Sequence, residues 1–138
     1  MPTATSRSDV ARAFYAAITA RDGEALERLL DAHFHDDAAV ALPESLPYGG
    51  RVSGVRRLQR MFGALAGDPV PAGPVSLRLD NLVAEGEHVV ALVSFDWQPP
   101  GGGTPVASSA SELWTFRGGR VAEISAFYWD TAALVGGS

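Results

Sequence analysis

Apolar residues recur at helical spacing through the first part of the chain and at strand spacing through the second. Val10, Phe14, Ala17 and Ile18 fall on one face of a helix. Ser6 or Ser8 is placed to cap it, and Asp9 suits its positive end. Asp22-Gly23 breaks this helix and opens a second, whose apolar stripe is Leu26, Leu29, Leu30 and Phe34. Ala38–Leu42 is short, apolar and bounded by Pro43, and reads as a strand. Leu46-Pro47-Tyr48-Gly49-Gly50 is a turn and Arg51–Ser53 a short extended piece. Ser53 is expected to cap a third helix carrying Val55, Leu58, Phe62 and Leu65 on one face, ended by Gly67, Pro69, Pro71 and Pro74. From residue 75 the period becomes two: Val75, Leu77 and Leu79 alternate with Ser76, Arg78 and Asp80. His88–Trp97, Val106–Phe116 and Arg120–Asp130 complete a meander of four antiparallel strands. Helices gathered ahead of a meander predict an α+β domain, with one sheet covered by helices on one face.

At 138 residues, 1–138 is expected to be one domain, with 1–7 a loose N-terminal tail. The net charge of −5 argues against nucleic acid or an anionic membrane as partner. The chain has no Cys, which excludes disulfides, thiolate metal sites and thiol nucleophiles. No apolar run approaches the roughly 18 residues of a membrane span, and no signal-peptide core is evident, so a cytoplasmic location is expected. His33, His35 and His88 read as surface residues, because no metal-ligand spacing joins them to a carboxylate, and no metal is expected. Arg51, Arg56, Arg57 and Arg60 cluster around the third helix. An anion clamp is one reading and a solvated helix face the simpler one.

Several local patterns resemble the nuclear transport factor 2-like superfamily, in particular its SnoaL-like and ketosteroid-isomerase-like members. They are Ala11–Tyr15 followed by Asp22-Gly23-Glu24, Phe34-His35-Asp36-Asp37-Ala38-Ala39-Val40, Leu46-Pro47-Tyr48-Gly49-Gly50 with Gly54 opening the third helix, and Trp114–Val121 leading to Tyr128–Leu134. The resemblance spans about Ser8 to Leu134. It implies a cone: three N-terminal helices in the concave face of a curved, mostly antiparallel sheet. It further implies an apolar ligand pocket, expected here to be lined by Leu42, Tyr48, Phe62, Phe95, Trp97, Trp114 and Tyr128. A homodimer through the outer sheet face is expected on the same ground.

Three residues carry the chemistry this resemblance implies. Glu112 falls where ketosteroid isomerases place the protonated Asp of their oxyanion hole, and Tyr15 near their hydrogen-bonding Tyr. Asp130 falls where SnoaL-like cyclases place an acid/base Asp. The chain also departs from each pattern. Leu42 stands at the isomerase base position, with Glu44 two residues on. Ala110-Ser111-Glu112 stands where limonene epoxide hydrolases have Arg-x-Asp, and no His matches the cyclases' partner. Simpler roles exist as well: Asp130 as the cap of a short C-terminal helix, and Glu112 paired with an Arg or with Tyr15. The hairpin register is the geometric condition. A two-residue turn on Gly118-Gly119 sets Glu112 opposite Ser125. A three-residue loop with Gly119 as a bulge sets it opposite Ile124, and places Ala110, Glu112, Trp114, Ile124, Ala126, Tyr128 and Asp130 on one face. The second register is the preferred expectation. The expected function is a cofactor-independent isomerase, cyclase or dehydratase acting on a hydrophobic carbonyl compound. The alternatives are a binder of apolar small molecules and a dimerisation module with a filled cone.

Overall fold

The computed structural model describes residues 6–46, 49–66, 73–99 and 101–134. Helices α1 (Arg7–Thr19) and α2 (Gly23–His33) lead into strands β1 (Phe34–Leu42) and β2 (Gly50–Ser53). Helix α3 (Val55–Ala66) follows, then β3 (Gly73–Glu85), β4 (His88–Gln98), β5 (Val106–Arg117), β6 (Arg120–Tyr128) and the single turn α4 (Thr131–Leu134). Side chains start the first two helices. Ser6 accepts from the Asp9 N–H at 3.1 Å and Asp22 from the Ala25 N–H at 3.0 Å. Helix α3 differs from the expectation. Gly54, at φ 103°, accepts the Leu58 N–H through its carbonyl and so occupies the capping position expected of Ser53. Phe34 also differs. It opens β1 in extended backbone, φ −106° and ψ 146°, instead of closing the α2 stripe, and from there its ring reaches Phe14 and Trp114.

The six strands form one curved, unclosed sheet in the order β2-β1-β6-β5-β4-β3. All neighbours are antiparallel except β1 and β6. That parallel pair ties the N-terminal half to the last strand. Helix α1 packs on β3 and β4, α3 on β1 and β2, and α2 on α1 and α3. The core lies between this helical layer and the sheet, around Phe14, Leu30, Leu58, Trp97 and Trp114.

The β5–β6 turn is the two-residue one and not the preferred three-residue loop, yet Glu112 faces neither Ser125 nor Ile124, and the expected face is kept. Arg117 pairs with Arg120 across a two-residue turn, with Gly118 at φ 61° and Gly119 at φ 83°. Both turn residues are left-handed, as this tight hairpin requires. The pairing then slips between Thr115 and Phe116, where β6 inserts an extra residue: Phe116 faces Val121 and Thr115 faces Glu123. Beyond this bulge Glu112 lies opposite Ala126. The slip of one restores even-numbered residues to a common face. Trp114, Ile124 and Ala126 are accordingly buried, whereas Phe127, next in sequence, is exposed. Gly119→Val is expected to destabilise the fold by about 1–2 kcal/mol, because a β-branched residue resists left-handed backbone. Urea unfolding checks it.

Candidate functional site

Between α1, α3 and the concave face of the sheet lies a cavity of about 270 Å³. Helix α1 contributes Phe14, Tyr15 and Ile18 to its wall, and α3 contributes Met61 and Phe62. The sheet supplies Leu42, Leu77, Phe95, Ile124 and Tyr128. Among the described lining residues one carries a carboxyl, Glu112 on β5. Its cross-strand partners are Ala91 on β4 and Ala126 on β6, both buried. Directly paired residues point to the same side of a sheet, so two small side chains flank Glu112.

Two side chains hold that carboxyl in place. The Tyr15 hydroxyl donates to Glu112 Oε1 at 2.5 Å, and Trp114 Nε1–H donates to the Tyr15 oxygen at 3.0 Å. Tyr15 and Trp114 are essentially inaccessible, at 2% and 0% exposure. The Trp114 ring is wedged edge-on against Phe14 at 5.0 Å and Phe34 at 5.9 Å. A rigid aromatic cluster therefore fixes the Tyr15 oxygen, which in turn fixes one oxygen of Glu112. Burial pushes the Glu112 carboxyl above its ordinary value, and the Tyr15 hydrogen bond opposes this shift. Tyr15 is held well above the usual phenol value, first by burial and then by the neighbouring Glu112 charge.

The structure thus brings together Tyr15 and Glu112 in a cavity that Leu42, Phe62, Phe95 and Tyr128 also line. Trp97 and Trp114 lie deeper, in the core behind the wall. Tyr48 falls outside the described residues. Asp130 is exposed, follows the end of β6 and immediately precedes α4; it is not among the residues lining the cavity. β6 ends at Tyr128, and Asp130 lies two residues beyond it; Trp129 between them is 84% exposed, and its N–H still donates to the Ser109 carbonyl at 3.0 Å. Leu77 also belongs to the wall, outside the expected pocket set. Its alternation with Ser76 and Arg78 was the available signal. Two residues of β3, Ser76 and Leu77, lie between the paired positions Val75 and Arg78, where β4 has only Phe95, and Ser76 adopts φ 53°. Thr19 Oγ1 donates to the Leu77 carbonyl at 3.0 Å, anchoring this bulge to α1.

The arginine cluster faces outward. Arg51 is bound to Glu123, and Arg56 reaches Asp31 at 3.4 Å and Gln59 at 2.9 Å. His35 Nε2 lies 2.6 Å from the Arg117 carbonyl at the surface. Among the described residues no group of three or more His, Asp or Glu is arranged to hold a metal ion, and no helix is long and apolar enough to cross a membrane.

Comparison with known proteins adds a family match. The SnoaL-like domain family matches residues 11–124. Among curated proteins none matches. Solved structures of the same fold include TerC co-crystallised with polyporic acid, 23% identical with a TM-score of 0.72, covering 91% of this chain and 92% of that one. A ketosteroid isomerase-like protein from Catenulispora acidiphila DSM 44928, in complex with trimethylamine, is 16% identical with a TM-score of 0.70 and covers 94% and 91% of the two chains. A SnoaL-like polyketide cyclase assignment from Jannaschia Sp. CCS1 is 15% identical with a TM-score of 0.66, over 96% and 92%. At such identities the likeness speaks to the fold alone.

Proposed function

We propose that this chain, which belongs to the SnoaL-like domain family, moves a proton on an apolar, carbonyl-bearing small molecule with Glu112 as the base. The observation that carries this reading is a carboxyl, single among the described lining residues of an apolar cavity, oriented by a buried tyrosine at 2.5 Å. Tyr15 engages Oε1, which leaves Oε2 to face the ligand. A carboxyl whose proton affinity is raised by burial is a stronger base than an exposed one, better matched to work near neutrality. Glu112 would take a proton from the carbon beside a carbonyl. As it does so its pull on the Tyr15 O–H weakens, and that hydroxyl becomes able to donate to the enolate oxygen. Returning the proton to a different carbon is isomerisation; aldol-type cyclisation and dehydration begin with the same abstraction. TerC, co-crystallised with polyporic acid, and the Catenulispora protein, in complex with trimethylamine, support a small organic molecule as the ligand.

Asp130 has no step in this scheme. A homodimer through the outer sheet face belongs to the same reading. Leu92 and Phe127 lie in one cross-strand row on either side of Ser111, exposed at 37% and 60%. The test follows α-proton exchange in D₂O by NMR over a panel of apolar cyclic ketones and enones. Exchange is expected with the wild type and with Asp130→Asn, and its loss with Glu112→Gln. Exchange that survives Glu112→Gln, or that disappears with Asp130→Asn, overturns the assignment of the base. A panel that binds without any exchange points instead to a carrier of apolar molecules.

A further inference from the structure

Among the described residues no cationic side chain lines the cavity that Glu112 faces. The arginines with described ion pairs spend them elsewhere: Arg28 on Glu24, Arg51 on Glu123, Arg56 on Asp31 and Arg117 on Asp37. Burial raises the proton affinity of the carboxyl, and the hydrogen bond from Tyr15 lowers it. A buried carboxylate without a countercharge is costly, and the usual remedy is a paired cation. Here the carboxyl itself lines the cavity.

The remaining wall suits a particular kind of cation. Phe14 meets Phe62 edge-on at 4.9 Å on the helical side, and Phe95 meets Tyr128 at 5.4 Å on the sheet side. Both pairs line the cavity. Aromatic faces attract weakly hydrated organic cations through the ring quadrupole and repel nothing apolar attached to them. A small, strongly hydrated inorganic ion would find one carboxyl and too few other oxygens.

We infer that the cavity binds hydrophobic ammonium ions, with Glu112 as counter-ion and the aromatic pairs as walls around the alkyl groups. Such a ligand supplies the charge the site lacks. This goes beyond the proton-transfer reading and does not rest on it, since it concerns binding with no bond made or broken. It also makes these amines competitors of any carbonyl substrate.

The probe is benzyltrimethylammonium, compared with neopentylbenzene, its neutral isostere, by calorimetric titration of the full chain. The cation is expected to bind at least about tenfold more tightly than the isostere. In Glu112→Gln that preference is expected to vanish while the neutral compound still binds. The wild-type comparison needs no variant to decide the charge preference, and a thermal melt verifies the fold of Glu112→Gln. Equal or weaker binding of the cation, binding of neither compound, or a preference that persists in Glu112→Gln overturns the inference. Failure here leaves α-proton exchange untouched, and loss of exchange with intact cation binding overturns only the catalytic reading.

Discussion

Glu112→Gln is expected to slow α-proton transfer by about 100- to 10,000-fold, the range that a positioned general base contributes. The same change is expected to make the folded chain more stable, and by an amount that depends on pH. The sign follows from the raised proton affinity of the carboxyl. Between the ordinary carboxylate value near 4.5 and the higher value in the fold, the unfolded chain has released this proton and the folded chain still holds it. The folded state then binds more protons, so stability falls as pH climbs through that window. Below the window both states are protonated and the term vanishes; above it the loss is complete and constant. Each pH unit the window spans is worth about 1.4 kcal/mol. Glutamine has no proton to lose and keeps an acceptor for the Tyr15 hydroxyl. Urea unfolding of both chains between pH 4 and 8 should therefore show curves that diverge upward in pH, with Glu112→Gln the more stable at neutrality. Parallel curves would mean that Glu112 titrates as an exposed residue does. A simultaneous loss of activity and gain of stability is the signature of a group retained for chemistry and not for the fold.

How far the sequence reveals this site differs from residue to residue. Helical periodicity places Phe14 and Phe62 inward, since an apolar stripe has one stable place to go. Period-two alternation does the same for Phe95 on β4. The pairing of Tyr15 with Glu112 spans 97 residues, and no local pattern contains it; it was accessible only through resemblance. The hairpin illustrates the limit on register. Gly118-Gly119 signals a tight turn, but the slip at Ala122 carries no local mark, because Ala accepts many backbone conformations. Without that slip Glu112 would point with the opposite set of β6 side chains. Asp130 entered through resemblance to the SnoaL-like cyclases, and alternation alone does not place it, because it lies two positions past the end of β6. Strand ends are set by backbone pairing and by the helix that follows, and an aromatic such as Trp129 fits strand and bend alike. Phe34 misled in the opposite direction, since its spacing from Leu30 fits a helix while its backbone is already extended.

Trp114→Ala is expected to cost about 3–5 kcal/mol, the range for removing a large buried aromatic. The ring is fully buried and touches Phe14, Tyr15, Phe34 and Phe116, so it joins α1, β1 and β5 in one cluster. A urea midpoint well below that of the wild type checks it. Trp114→Phe isolates the second role of this residue. It keeps most of the ring contacts and removes the N–H that donates to the Tyr15 oxygen. That hydrogen bond favours the ionised form of Tyr15 and so makes its hydroxyl the better donor to Glu112. Without it the Tyr15 hydroxyl donates more weakly, the ionised Glu112 loses support, and the raised carboxyl value rises further. The carboxyl ¹³C resonance of Glu112, followed against pH, should show its midpoint move upward in Trp114→Phe. In the proton-transfer assay the acidic, ascending limb of the pH profile should move up with it, since the base works only once deprotonated. A midpoint that stays fixed while stability drops would make Trp114 a packing residue only, and would confine the tuning of the base to Tyr15 and burial.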